Sequence, residues 1–147
     1  MNFTKPIYSK SEVLELAGIT SSQFNNWMIR GLIPRSALGF ELVKITKAKY
    51  SALIPAYCKL MTYHTGHNRK QFIKELNKAF DQFISSETSN EHLTIGIAKF
   101  GSSADCGLFQ NEGQAYALCP KDSVFVPVGR VIKQFIENLK NPTQHSQ

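Results

Sequence analysis

Two helix-start signals stand close together near the beginning of the chain, at Ser9 and at Thr20, and leave the backbone between them almost no freedom. Ser9 and Glu12 have the S-x-x-E spacing of a capping box, in which the cap hydroxyl takes an N–H three residues on and the carboxylate returns to the cap N–H. Tyr8 and Val13 occupy the positions of a hydrophobic staple across that cap. Val13, Leu16 and Ala17 recur at i, i+3 and i+4 as a buried stripe, and Gly18 is placed to stop the helix in a left-handed conformation. Thr20 and Gln23 then repeat the logic as T-x-x-Q, which predicts a second helix running to Arg30 before Gly31 ends it. The link Gly18-Ile19-Thr20 is therefore a tight turn between two short helices.

At roughly 100° per residue, Phe24, Trp27 and Met28 of the second helix point inward while Ser22, Asn26 and Ile29 point outward. Gln23, Asn25 and Arg30 lie on the shoulders. After Gly31-Leu32-Ile33-Pro34, the residues from Arg35 to Ile45 surround a central Gly39 with β-type side chains and predict a small hairpin. Thr46 is placed to cap a third helix carrying Tyr50, Leu53, Ile54, Tyr57, Leu60 and Met61, with Pro55 as a kink or interruption. The stretch from Thr62 to Asn68 reads as a boundary.

Beyond it, Arg69 to Ser85 predicts an amphipathic helix with Phe72, Ile73, Leu76, Phe80, Phe83 and Ile84 on one broad face. Leu93 to Phe100, Gln114 to Cys119 and Ser123 to Val126 read as three short strands. A last helix from about Arg130 to Lys140 presents Val131, Ile132, Phe135, Ile136 and Leu139. The expected fold is α+β: a first domain over residues 1–65, and a helix, small antiparallel sheet and helix over residues 66–147.

Charge is unevenly spread. Residues 1–60 hold eight Lys and Arg against three Glu, so five of the net +6 lie there. That asymmetry favours an anionic partner, nucleic acid ahead of a membrane surface, at the N-terminal end. No run of 18 apolar residues and no apolar leader at the start is present, which sets the expectation of a cytoplasmic protein without a membrane partner. Cys58, Cys106 and Cys119 are an odd set with no CxxC spacing and are expected to be thiols.

Two short capped helices joined by a three-residue turn are the layout of a helix-turn-helix, whose second helix enters the major groove. The run Tyr8-Ser9-Lys10-Ser11-Glu12-Val13-Leu14-Glu15-Leu16-Ala17-Gly18-Ile19-Thr20, followed by Phe24, Trp27 and Gly31-Leu32-Ile33-Pro34, resembles the N-terminal region of MerR-type regulators and the related excisionase-like DNA binders of mobile elements. The similarity covers about residues 7–63. It implies a winged helix-turn-helix, double-stranded DNA as partner and a role in transcription, repression included. Asn25 stands where the family commonly has an arginine, and Val43-Lys44-Ile45 replaces its Arg-Tyr wing signature.

The candidate DNA-binding residues are Lys10, Ser21, Ser22, Gln23, Asn25, Asn26, Arg30, Arg35, Lys44 and Lys47. Asparagine suits a bidentate contact with adenine N6 and N7, and the cations around the helix and hairpin resemble phosphate clamps. Gln23 serves either the helix cap or a base, and Asn25 and Asn26 are read as base contacts against the alternative of a solvated face. His64 and His67, with no further ligand in register, are read as surface polar groups, and Cys106 with Cys119 lacks a compact metal loop. Phe100, Phe109, Tyr116 and Phe125 are read as core against the alternative of a small-molecule pocket, and a small-molecule effector stays open without support from the sequence. With no nucleotide-binding, nucleophile-elbow or zinc-protease motif, no cofactor and no catalytic residue is expected.

The expected function is a sequence-specific DNA-binding regulator acting as a homodimer, with the C-terminal half supplying the dimer contact. The alternatives are a recombination or packaging accessory of a phage or mobile element, and an antirepressor-type protein-interaction module.

Overall fold

A computed structural model of the protein describes residues 5–33, 40–41, 49–63, 69–85, 90–98 and 106–140. It is an α+β chain whose elements divide into two compact units, Met1–Thr62 with Ile132–Gln147, and Tyr63–Val131. No helix among the described residues is long and apolar enough to cross a membrane.

The first unit contains α1 (Lys10–Ala17), α2 (Ser21–Ile29), β1 (Phe40–Glu41), β2 (Lys49–Tyr50) and α3 (Leu53–Met61). Both capping boxes form as the sequence predicts. Ser9 N–H donates to Glu12 Oε1 at 3.0 Å, and Glu12 N–H donates to Ser9 Oγ at 3.3 Å. Gly18 takes φ 69°, and the N–H groups of Gly18 and Ile19 both donate to the Leu14 carbonyl, closing α1 within the turn. Val13, Ala17, Phe24 and Trp27 are buried, and α1 packs on α3 and β2.

The strand pairing departs from the expected hairpin. Phe40 and Glu41 pair with Tyr50 and Lys49, antiparallel, so the second strand lies where the spacing predicts the third helix. Tyr50 also bridges to Tyr8, donating its N–H to Tyr8 O at 2.8 Å and accepting from Tyr8 N–H at 2.9 Å. Its ring stands edge-on to Phe24 with centroids 5.4 Å apart. These contacts outweigh a helical spacing that Tyr50 shares with Leu53 only by coincidence. The helix starts at Leu53 instead, its first N–H received by Ser51 Oγ at 3.2 Å. Pro55 then falls in the first turn, where its missing N–H has no intrahelical carbonyl to bond, so no kink is required. Thr46, the expected cap, lies outside the described residues.

The second unit holds α4 (Arg69–Ser85), β3 (Thr94–Ile97), β4 (Cys106–Phe109), α5 (Glu112–Leu118) and β5 (Val124–Val126), and α6 (Val128–Lys140) begins in it. Its antiparallel sheet has the order β4-β3-β5, with Ile95 opposite Leu108 on one side and Val126 on the other. α4 packs on β3 and β4 through the expected stripe, with Phe72, Leu76 and Phe80 fully buried. Glu75 sits within that stripe, its Oε1 accepting from Gln71 Nε2 at 2.8 Å.

One expectation is overturned in this unit. Gln114 to Cys119 is not a strand: Asn111 accepts the Gln114 N–H at 2.8 Å and starts α5, and the third strand comes from Cys106–Phe109. An Asn cap followed by Ala115, Ala117 and Leu118 outweighs the apolar alternation that suggests a strand. The division of the chain also differs from 1–65 and 66–147. The first boundary falls at Thr62, and the residues from Ile132 onward group with the first unit. Periodicity gives α6 an apolar face, with Val131, Ile132 and Ile136 buried, but does not say which core that face joins.

Trp27→Ala is expected to cost about 3–5 kcal/mol, enough to unfold much of the first unit. A thermal melt matching the parent chain would contradict the placement of this ring in the core. Cys58 supplies a second check. Burial pushes its thiol from 9.0 up to about 12, so the native state favours the neutral form. That contribution is fully present below about pH 9 and is lost as the pH rises towards 12. At about pH 8 a water-soluble thiol reagent is expected to leave Cys58 unmodified until denaturant is added, as read by mass spectrometry of the digested protein. Rapid labelling of the native chain there would contradict the burial.

Candidate nucleic-acid interface

The first unit is built so that one short helix is held stiffly at both ends. At the start of α2, Thr20 N–H donates to Gln23 Oε1 at 2.9 Å while Gln23 N–H donates to Thr20 Oγ1 at 3.1 Å. At its end, Gly31 at φ 67° donates to Met28 O at 3.2 Å and Leu32 N–H donates to Trp27 O at 2.9 Å. Those two bonds are the Schellman pattern, which satisfies the last carbonyls and stops the helix within one residue. Phe24 and Trp27, at 2% and 5% exposure, anchor the inner side.

The outer side carries Ser21, Ser22, Gln23, Asn25, Asn26, Ile29 and Arg30, all exposed. Only Arg30 among them is charged. The helical phase read from the sequence thus holds from Ser22 to Arg30, and Met28 alone is intermediate rather than fully inward.

Within this surface the candidates are not equivalent. Gln23 uses its carbonyl oxygen on the cap, with Thr20 Oγ1 also within 3.3 Å of it. Lys10, in the first turn of α1, reaches across to α2 and donates from Nζ to Asn25 Oδ1 at 2.8 Å. A bidentate adenine contact needs both the oxygen and the nitrogen of an amide, so Asn25 would have to share its oxygen with Lys10. Lys10 and Asn25 together form a polar bridge between the two helices. Asn26 stands beside that bridge, at the centre of the outward face.

Arg35, Lys44 and Lys47, the proposed wing cations, lie outside the described residues. His64, His67 and Phe100 do as well. Lys49 is exposed on β2 opposite Glu41, and the sequence does not point to it, because its spacing places a helix there. Periodicity turns Ile29 outward without giving it a role, and it predicts only the direction of an exposure that reaches 83%. In the second unit the aromatics read as core are not fully withdrawn: Tyr116 is exposed, its ring standing edge-on to Phe125 with centroids 4.5 Å apart, and Phe109 and Phe125 are half-buried. Among the described residues no group of three or more His, Cys, Asp or Glu is arranged to hold a metal ion. No protein-family model matches the chain, and no curated protein matches it significantly.

Proposed function

We propose that the chain is a sequence-specific DNA-binding protein that uses α1, its turn and α2 as a winged helix-turn-helix of the MerR-like kind, and that it regulates transcription as a homodimer. The observation that carries this reading is the surface of α2: a nine-residue helix, capped at both ends, whose exposed side is, apart from Ile29, hydrogen-bonding and nearly uncharged. The major groove admits one such helix, about 12 Å across, and its base edges are read by side chains of this chemistry. The surplus of five positive charges in residues 1–60 supplies the attraction to phosphate.

In this reading Asn26 contacts bases, Ser21 and Ser22 approach the groove from the first turn, and Arg30, Arg35, Lys44 and Lys47 neutralise phosphates. Lys10 holds Asn25 in place and adds to the positive rim. A helix this short covers one half-site, and pairing two copies doubles the contacts on a symmetric target.

Base readers and phosphate clamps differ in what their removal does. Asn26→Ala is expected to cost about 1–3 kcal/mol on the preferred duplex with little change on random DNA. Arg35→Ala or Lys44→Ala is expected to weaken binding to all sequences alike, and to reduce the slope of log K against log salt by about 0.9 for each phosphate that is no longer neutralised. Fluorescence anisotropy with labelled duplexes across a salt series measures both quantities. Binding that is absent, or indifferent to salt, contradicts the reading.

A further inference from the structure

Ile29 is the most exposed large apolar side chain among the described residues, at 83%, and no packing among those residues accounts for it. It closes the outward row of α2, seven residues after Ser22 and three after Asn26. Around it stand Asn25, Asn26 and Arg30, all polar and exposed. Among the described residues Met28 and Leu32 nearby are half-buried and the fully exposed neighbours are polar, and one exposed apolar group of this kind is a poor foundation for a protein interface, whose energetic centre is a contiguous apolar cluster. It also does nothing for the helix, since a β-branched residue is a weaker helix former than leucine or alanine.

One macromolecular surface presents isolated apolar groups within an array of donors and acceptors. In the major groove, each A·T pair offers the adenine N7 and N6 beside the thymine O4 and a single C5-methyl group. From Asn26 to Ile29 the helix advances about 4.5 Å. For a helix lying along the groove that is close to the base-pair spacing of about 3.4 Å, which would put the two side chains on the same base pair or on neighbouring ones. The stiff χ1 of isoleucine holds its methyl groups in one place, which suits contact with another methyl.

We infer that Ile29 is a specificity-determining residue that takes a thymine C5-methyl group in the major groove, next to the base read by Asn26. The inference rests on the DNA-binding reading above and deepens it: the target carries thymine under the C-terminal end of α2. The surplus of positive charge in residues 1–60 favours duplex DNA over a second protein as the occupant of this face.

The test uses the full chain, with duplexes selected from a random-sequence pool by the parent protein. In the selected duplex each thymine is replaced in turn by deoxyuridine, which removes the methyl group and nothing else. The parent is expected to bind about fourfold more weakly at one such position per half-site, the value of burying one methyl-sized group. Ile29→Ala, which alters only an exposed side chain and should melt like the parent, is expected to bind the thymine and deoxyuridine duplexes alike while keeping its other base preferences. Equal binding of thymine and deoxyuridine duplexes by the parent at every position overturns the inference and leaves the DNA reading standing. So does an Ile29→Ala protein that keeps the full thymine preference. A parent chain that selects no duplex overturns the DNA reading, and this inference with it.

Discussion

Tyr50 is the residue on which the first unit depends. Its backbone exchanges hydrogen bonds with Tyr8, ahead of α1, and its strand pairs with Phe40, which follows α2 in the chain. Its ring meets Phe24 on the inner face of α2. Three segments distant in sequence are thereby tied at one point, and at 5% exposure the residue is almost wholly withdrawn from solvent. An edge-to-face aromatic pair is worth about 0.5–1.5 kcal/mol beyond its buried area, and the backbone exchange fixes the register as well. α2 is positioned by that junction from beneath, while its caps fix its ends.

For the proposed DNA-binding function, the consequence would be rigidity where base readout needs it. Base readout needs side chains held in place before DNA arrives, because ordering them on contact would subtract from the binding free energy. The two capping boxes, the Schellman bonds and the Lys10 to Asn25 bridge all act on α1, α2 and their turn. Few of these bonds stabilise the unit by more than about a kilocalorie per mole. Their shared effect is to present Ser22, Asn26 and Ile29 in one row on a helix that has little freedom to fray.

What the sequence discloses follows the range of the interactions involved. The caps at Ser9 and Thr20, the left-handed glycines at 18 and 31, and the span Arg69–Ser85 are set by residues three or four apart, and all of them form as expected. Tyr50 reads as helical because its strand partners, Tyr8 and Phe40, are remote in sequence and leave no local trace. α5 is hidden for a local reason: the alternation from Gln114 to Cys119 is too short to separate helix from strand, and only the Asn111 cap tips the balance. The unit to which the end of α6 belongs is a tertiary matter that an amphipathic pattern leaves open. On the candidate surface, the orientation of the exposed residues of α2 from Ser22 onward is legible in the sequence. The engagement of Asn25 by Lys10 is not, because it depends on how α1 and α2 pack and is written in neither helix alone.

The claim at the centre of this account is that α2 is the surface that meets DNA, and a residue-resolved titration addresses it directly. Duplex DNA selected by the protein would be added to the isotopically labelled chain at about 0.15 M salt, where nonspecific attraction weakens, while backbone and side-chain amide resonances are followed. The largest shifts are expected between Ser21 and Arg30, with the side-chain amide of Asn26 among them and the strands Thr94–Ile97 and Val124–Val126 unchanged. Shifts confined to those strands, with Ser21 to Arg30 unmoved, would contradict it.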